Sequence, residues 1–444
     1  MNSRILLVYP LLAVAASKVD PQGGWTEQSP RDEIKPRFSY QPSAGPNHSR
    51  ALRIEADGRE GIAGYWRKSF VVTGGQNYRF EVLRKAVNLE SPAHNAFVTI
   101  RWTDEKGKAV LDDRPQVSNY LQNFTPWVVD EYPRDGKPDS TGWAKTEAVY
   151  RAPSAAKAAV VDLHLRWSKT GRVDWSAVKW DPVDPAPSRK VRLATVHFRP
   201  QGKSAEANRQ AYVKFIEEAS RQKADLVVLG ETLTYVNAGK TYAEAAEPIP
   251  GPSTTFFGQL AKKHGLYLVP GLLERSGHLV YNVSVLIGPD GEIVGKYRKV
   301  TLPDGEWKGG VAPGRDYPVF DTRFGKVGMM ICYDGFFPEV ARQLTLNGAE
   351  VIAWPVWGCN PELARARAAE NDVYVVSSTY EDISNKWMLS AIWDRTGDTL
   401  AVGKEFGTVA VAEVDLAQIR RWKSLGDFGG KISRHTPLPT PSRQ

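Results

Sequence analysis

From about residue 24 to residue 180, apolar and polar positions alternate with a period of two. Ala51–Glu55, Gly64–Val72, Asn77–Leu83, Ala96–Trp102 and Ala158–Trp167 read as strands, with turn residues such as Thr73-Gly74-Gly75 between them. No useful length of helical spacing interrupts them. Short strands without helices predict an all-β jelly roll or sandwich over residues 20–181. Residues 182–189 are proline-rich, and proline stiffens and extends a linker, so a domain boundary is expected there.

Beyond the linker the period changes. Lys190–Phe198, Leu226–Leu229, Leu266–Pro270, Val327–Ile331, Val351–Trp354 and Tyr374–Ser378 are short apolar runs that fit buried strands. Ala205–Gln222, Ser253–His264, Pro338–Asn347 and Pro361–Asn371 carry helical spacing, and Asn282–Ile287 with Glu292–Tyr297 reads as a hairpin around Pro289-Asp290-Gly291. Strands alternating with helices predict an α/β domain with a mixed sheet over residues 190–435, followed by a tail at 436–444.

Composition narrows the class. At 444 residues, with 42% hydrophobic and 24% charged, the chain is globular and long enough for two domains. The net charge of +8 is spread among interleaved acids and bases with no long basic run, so no nucleic-acid partner is expected. Two cysteines exclude a disulfide scaffold and a multi-cysteine zinc site; the seven histidines show no paired metal spacing, so no metal is expected. Residues 1–16 read as an export signal: Arg4, the largely apolar run Ile5–Leu12, then Ala13-Val14-Ala15. The expectation is an exported protein (periplasmic, cell-surface or secreted) with no transmembrane span in the mature chain.

Four residues sit where chemistry is usually found. Cys332 ends a buried strand, with turn residues and a helix start at Pro338 after it, a position that favours a thiolate. Glu231 follows the strand Leu226–Leu229, Lys299 follows the hairpin, and Glu306 lies in a Pro/Gly-rich loop. Taken singly, each has a plainer reading: a buried structural thiol, a helix-start acid, a solvated basic cluster with Arg298, a loop charge.

Together they resemble a family. Leu229-Gly230-Glu231-Thr232, Tyr281-Asn282 with Gly291, Gly295–Leu302, Gly328–Glu339 and Arg365–Asn371 are similar, in order, to the carbon–nitrogen hydrolase (nitrilase) superfamily. The resemblance implies an αββα sandwich and a Glu-Lys-Cys triad that needs no cofactor. Glu231 would be the base, Cys332 the nucleophile that forms a thioester, and Lys299 the oxyanion partner together with the N–H of Tyr333. Glu306 would be a supporting acid. Three positions depart from the family pattern: Gly230 where proline is common, Thr301 where histidine is, and His197 where glutamine is. Tyr333-Asp334 resembles the amidase and carbamoylase branches, so an amide or N-carbamoyl substrate is expected rather than a nitrile. Passage of the acyl group to an amine, and a non-catalytic glycan-binding protein, remain as alternatives.

Trp354 and Trp357 are expected to line the pocket, with Glu381, Asp382 and Trp387 as a further rim. Cys359 is either a buried thiol or a partner able to block Cys332. The C-terminal segment resembles one that crosses to a second subunit in this superfamily, so a homodimer is expected. The closing hairpin of the first domain, Val160–Leu165 with Gly171–Trp175, resembles carbohydrate-binding modules and implies a glycan or cell-surface polymer as partner. Most of that domain's tryptophans lie on strands and are expected in its core. Trp127 and Trp143, in the loop-like stretch 112–143, are the candidates for sugar stacking.

Overall fold

The computed structural model describes residues 23–117 and 123–437. The expected export signal at 1–16 and residues 438–444 of the tail lie outside them. The chain forms two compact units. The first is built from residues up to Asp113 and from Asp130–Asp184; the second from Arg114–Val129 and Pro185–His435.

The first unit has two antiparallel sheets. One runs Thr26–Gln28, Ala63–Val71, Ala158–Arg166, Val98–Thr103. The other runs Arg37–Gln41, Ala51–Glu55, Arg172–Val183, Asn77–Val87, Trp143–Arg151, Arg134–Pro138. Alternation decides which side chains face inward. Leu52, Ile54, Phe80 and Val82 are buried in one cluster with Trp66, Trp102 and Trp175, while Arg53 and Glu81 pair outside with Asp174 and Lys145.

Two expectations change here. Trp143 is only 7% exposed. It opens a strand opposite Lys85, and the turn before it is closed by the Asp139 carboxylate, which accepts from Thr141 and Trp143 N–H. Its ring is structural and not a sugar platform. Trp127 is 61% exposed, but it belongs to the second unit. There its N–H donates to Lys423 O (2.9 Å), as Val117 N–H does to Arg421 O (2.7 Å).

The second unit contains two more sheets. The first runs Gly271–Ser276, Leu279–Ile287, Tyr267–Val269, Leu226–Val228, Lys190–His197, Thr408–Asp415, and Ile293–Arg298 adds to Leu279–Ile287. The second runs Val319–Asp321, Lys326–Met329, Val351–Pro355, Tyr374–Ser378, Ala391–Trp393, Thr399–Val402. Leu193, Leu226 and Val228 of the first pack in one core with Val351, Ile352 and Val375 of the second. The intervening Ala194, Val196 and Val227 face the other way, into a core with Phe215, Ile216 and Phe257 of the helices Val213–Arg221 and Pro252–His264. On the second sheet, Val340 and Leu344 of Pro338–Leu346 and Ala364 of Pro361–Asn371 cover the outer side. Strands with both faces buried need no polar alternation, which is why these read as continuous apolar runs.

The helix expected over Ala205–Gln222 is two, Ala205–Ala211 and Val213–Arg221. At the break Tyr212 buries its ring against Phe198 and Phe215. The strand Arg172–Val183 also runs into the start of the proline-rich stretch.

Candidate active site

Glu231, Lys299, Cys332 and Trp357 come off the carboxyl ends of strands in the second unit, where α/β sheets place their crevices. Glu231 lies just past Leu226–Val228, Lys299 just past Ile293–Arg298, Cys332 just past Lys326–Met329, and Trp357 just past Val351–Pro355. The strands before Glu231, Cys332 and Trp357 run parallel to their neighbours, so those ends point the same way; the strand before Lys299 pairs antiparallel with Leu279–Ile287.

Lys299 is fully buried, and its Nζ lies 2.9 Å from Glu231 Oε1 and 2.6 Å from Glu306 Oε1. Asn282 bridges the same two acids, its Nδ2 donating to Glu231 Oε1 at 2.8 Å and to Glu306 Oε1 at 3.2 Å. The backbone N–H of Trp357 donates to Glu231 Oε2 at 2.8 Å. Glu231 thus accepts from three donors. Burial disfavours the Lys299 ammonium, but neighbouring negative charge, Glu231 first, outweighs it and holds the group above its ordinary value.

Gly230 explains one departure from the family pattern. A Cβ there would stand 2.3 Å from the Tyr380 ring, and the Tyr380 hydroxyl donates to the Glu231 carbonyl at 2.5 Å. The bare backbone lets a tyrosine clamp the residue before the acid's side chain begins.

Glu306 stands in the short helix Asp304–Lys308 and is buried. Its Oε2 has no hydrogen-bond partner among the described residues. Burial raises its carboxyl from 4.5 to about 7, against the pull of Lys299 and with the push of Glu231. The folded state therefore holds this proton more tightly than the unfolded chain does. The stability it contributes is complete below about pH 4.5 and is lost as pH rises through about 7. Glu306→Gln removes that dependence. The unfolding free energy of wild type minus that of the variant should fall across this interval in denaturant titrations at a series of pH values. A difference independent of pH would contradict the assignment.

Cys332 has a backbone φ of +38°, a left-handed conformation rare for a residue with a side chain. Such strain costs on the order of 1–3 kcal/mol and persists only where the surroundings impose it. They do so through the turn Cys332–Phe336. The buried Asp334 carboxylate accepts from Ile331 N–H (2.9 Å) and Tyr297 O–H (2.8 Å) through Oδ2, and from Thr301 N–H (3.0 Å) and Oγ1–H (2.5 Å) through Oδ1. Thr301 is thus the partner of Asp334. Loss of this carboxylate orphans four donors, so Asp334→Ala is expected to cost about 3–5 kcal/mol in urea unfolding. A change under about 1 kcal/mol would show that the turn holds itself.

The thiol itself sits 3.4 Å from Gly358 O. Burial pushes it well above its ordinary value, and the Glu231 charge pushes the same way against Lys299. The resting group is a thiol with a carboxylate and an ammonium acting on it. The helix begins at Pro338, after the turn, as expected.

The expected pocket walls divide. Trp354 is fully buried in the core, and its Nε1 donates to Cys332 O at 3.3 Å. It braces the turn and is no pocket wall. Trp357 is partly exposed, edge-on to Tyr380 at 5.3 Å. Tyr333 packs its ring at a tilt on Phe336 and edge-on to Phe337. Trp387, 53% exposed, packs against Gly358 so closely that a Cβ at 358 would meet its indole nitrogen at 1.4 Å. His197 is buried, bonded to Ser390 Oγ at 2.9 Å and stacked on Phe406. Cys359 is a free thiol buried in the core, pushed up to about 11 by burial. Asn282, quoted above only for the family resemblance, was given no role in the site. Its signal was a lone amide inside the apolar strand Leu279–Ile287, where a buried polar group demands partners.

Residues 192–424, which carry all four of these groups, match the family model for carbon-nitrogen hydrolases. The chain belongs to the carbon–nitrogen hydrolase family. A nitrilase from Pyrococcus abyssi is 40% identical over 250 residues, covering 54% of this chain and 94% of that protein. Omega-amidase NIT2 of Xenopus tropicalis is 34% identical over 259 residues, 52% of this chain and 92% of that one. Human omega-amidase NIT2 is 31% identical over 228 residues, 46% and 82% respectively. The crystal structure of Saccharomyces cerevisiae Nit3, of the nitrilase superfamily, shares 27% identity over 57% of this chain and 97% of its own, with a TM-score of 0.46. This carbon–nitrogen hydrolase is amidase-like.

Proposed function

We propose that the enzyme hydrolyses an amide through a thioester on Cys332. The observation that carries this reading is the buried Lys299 ammonium held between Glu231 and Glu306, with the strained Cys332 under the charge of the same groups. Glu231 takes the thiol proton as Sγ attacks the amide carbon. Lys299 Nζ and the Tyr333 N–H receive the oxyanion. Glu231 returns the proton to the leaving nitrogen, which departs as ammonia or an amine. Glu231 then deprotonates water, the water oxygen attacks the thioester, and the acid leaves as the thiol regains its proton. Glu306 holds Lys299 through Oε1, and its unpartnered Oε2 can accept a hydrogen bond from the substrate amide N–H.

An amide rather than a nitrile is supported by Tyr333-Asp334 after the nucleophile and by the omega-amidases among the relatives. The test is turnover of primary amides, N-carbamoyl compounds and nitriles with hydroxylamine present. Ammonia and an acyl hydroxamate from amides are expected, because hydroxylamine intercepts a thioester. Amide turnover with no hydroxamate would overturn the covalent route, and faster release from nitriles would reassign the substrate.

A further inference from the structure

Beside Cys332 stands a wall that the proposed chemistry leaves without a task. The thiol lies 3.4 Å from Gly358 O. The residue before that glycine is held at both ends: Trp357 N–H donates to Glu231 Oε2 at 2.8 Å, and Trp357 O accepts from Thr379 Oγ1 at 2.6 Å. The Trp387 indole lies directly on Gly358. The three atoms nearest to a Cβ built at 358 all belong to that ring. The backbone at 358 is not left-handed, so glycine serves there for room and not for conformation.

The loop that carries the indole holds it in place. Asp382 caps the turn Ile383–Asn385 by accepting from Ser384 N–H at 2.9 Å. Lys386 takes a φ of +52°, and Met388, directly after the indole, is fully buried in the core. Trp387 itself stays half exposed. A large apolar ring left open to water beside a nucleophile gains free energy from an apolar group that covers it.

The chemistry of the site says which part of a substrate that is. Lys299 and the Tyr333 N–H take the oxyanion, Glu306 the amide N–H, and Glu231 the proton. The acyl substituent is the part with no polar partner. The described neighbour of the thiol outside that polar set is Gly358, with the indole on it. An apolar chain fits this surface. A chain ending in a carboxylate would need Arg199, whose guanidinium lies 5.7 Å from the Trp357 ring. It would also meet a loop with two acids, Glu381 and Asp382, against one lysine, Lys386.

We propose that Trp387 is a specificity-determining residue, and that it selects an amide with an apolar acyl chain of several carbons. The inference rests on the amide-hydrolysis reading and deepens it. Gly358 is the seat that lets the indole approach.

The experiment is kcat/KM for acetamide, hexanamide and succinamate, by ammonia release, in wild type, Trp387→Ala, Trp387→Phe and Gly358→Ala. In wild type, hexanamide should exceed each of the other two by at least about tenfold, since each buried methylene adds to transition-state binding. Trp387→Ala should cut the hexanamide-to-acetamide ratio about tenfold, and Trp387→Phe should keep most of it. Gly358→Ala retains the indole but puts a methyl where it rests, so it should cut the ratio as well. A merely structural role would lower both substrates alike and leave the ratio where it was. Amide turnover that favours acetamide or succinamate, or a ratio unchanged in Trp387→Ala or in Gly358→Ala, overturns this inference and leaves the hydrolysis reading standing. No turnover of any of the three amides by wild type overturns that reading, and this one with it.

Discussion

Replacing Cys332 by alanine is expected to lower amide turnover by at least about a thousandfold, because on the proposed route this thiol carries the acyl group. Glu231 and Lys299 would still bind and polarise the substrate, so a small residual rate over water is expected, as when a nucleophile alone is removed. The fold should survive. The thiol makes one bond, to Gly358 O at 3.4 Å, and alanine meets the same backbone strain at φ +38° that cysteine does. Thermal unfolding of the variant should stay within about 1 kcal/mol of wild type. Cys332→Ser sharpens the test. It keeps the shape and the proton, but its oxygen is a poorer nucleophile for the same base, so it should lie near alanine and far below wild type. Steady-state ammonia release under reducing conditions decides the matter. Equal rates in wild type and Cys332→Ala would remove the thiol from the mechanism.

Lys299→Met should damage both stability and rate. The side chain is fully buried between two carboxylates. Without it, Glu231 and Glu306 share only Asn282, and two like charges are left buried. Breaking a buried pair on one side costs about 3–5 kcal/mol. The loss should be largest at alkaline pH and should shrink on acidification. A carboxyl crowded by a like charge holds its proton more tightly when folded, so the strain is relieved as that proton binds. Turnover should fall at least about a hundredfold, the usual cost of losing one oxyanion donor. The double variant Lys299→Met with Glu306→Gln removes one of the stranded charges. It should be more stable than Lys299→Met alone while remaining inactive, and that keeps the question open to measurement even if the single variant unfolds. Urea titrations at pH 5 and pH 8 test both statements. A single variant as stable as wild type at pH 8 would mean the two acids do not share a proton-poor site.

Which parts of this structure could be read beforehand depends on what each residue must do locally. Glu231 and Cys332 each follow a run of apolar residues and Lys299 follows a hairpin strand, and a reactive group directly after a strand is visible in one dimension. Asn282 lies inside such a run, and an alternation count assigns it to a face without saying what it meets. The tryptophans show the same limit. Trp143 looked like a loop residue because Asp139, Ser140 and Gly142 precede it, yet those residues make a tight turn that delivers the indole into the sheet. Trp354 and Trp357 are three residues apart at the end of one strand, and only the three-dimensional turn sends one to the core and the other toward Glu231. Gly230 and Thr301, which depart from the family pattern, have partners in Tyr380 and Asp334 that lie far away in the chain.

The stretch Arg114–Val129 has a practical consequence for anyone who cuts this gene. Its backbone N–H groups at Val117 and Trp127 join the carbonyls of Arg421 and Lys423, so sixteen residues from the middle of the first unit's sequence complete the second. No single cut at the proline-rich linker separates the two cleanly. A fragment starting at Pro185 would expose a backbone edge near its own C-terminus, ready to pair with any passing strand, and would be prone to self-association. Recombination that moved the hydrolase region alone into another protein would inherit the same open edge. In this chain the unit of inheritance is larger than the unit of catalysis.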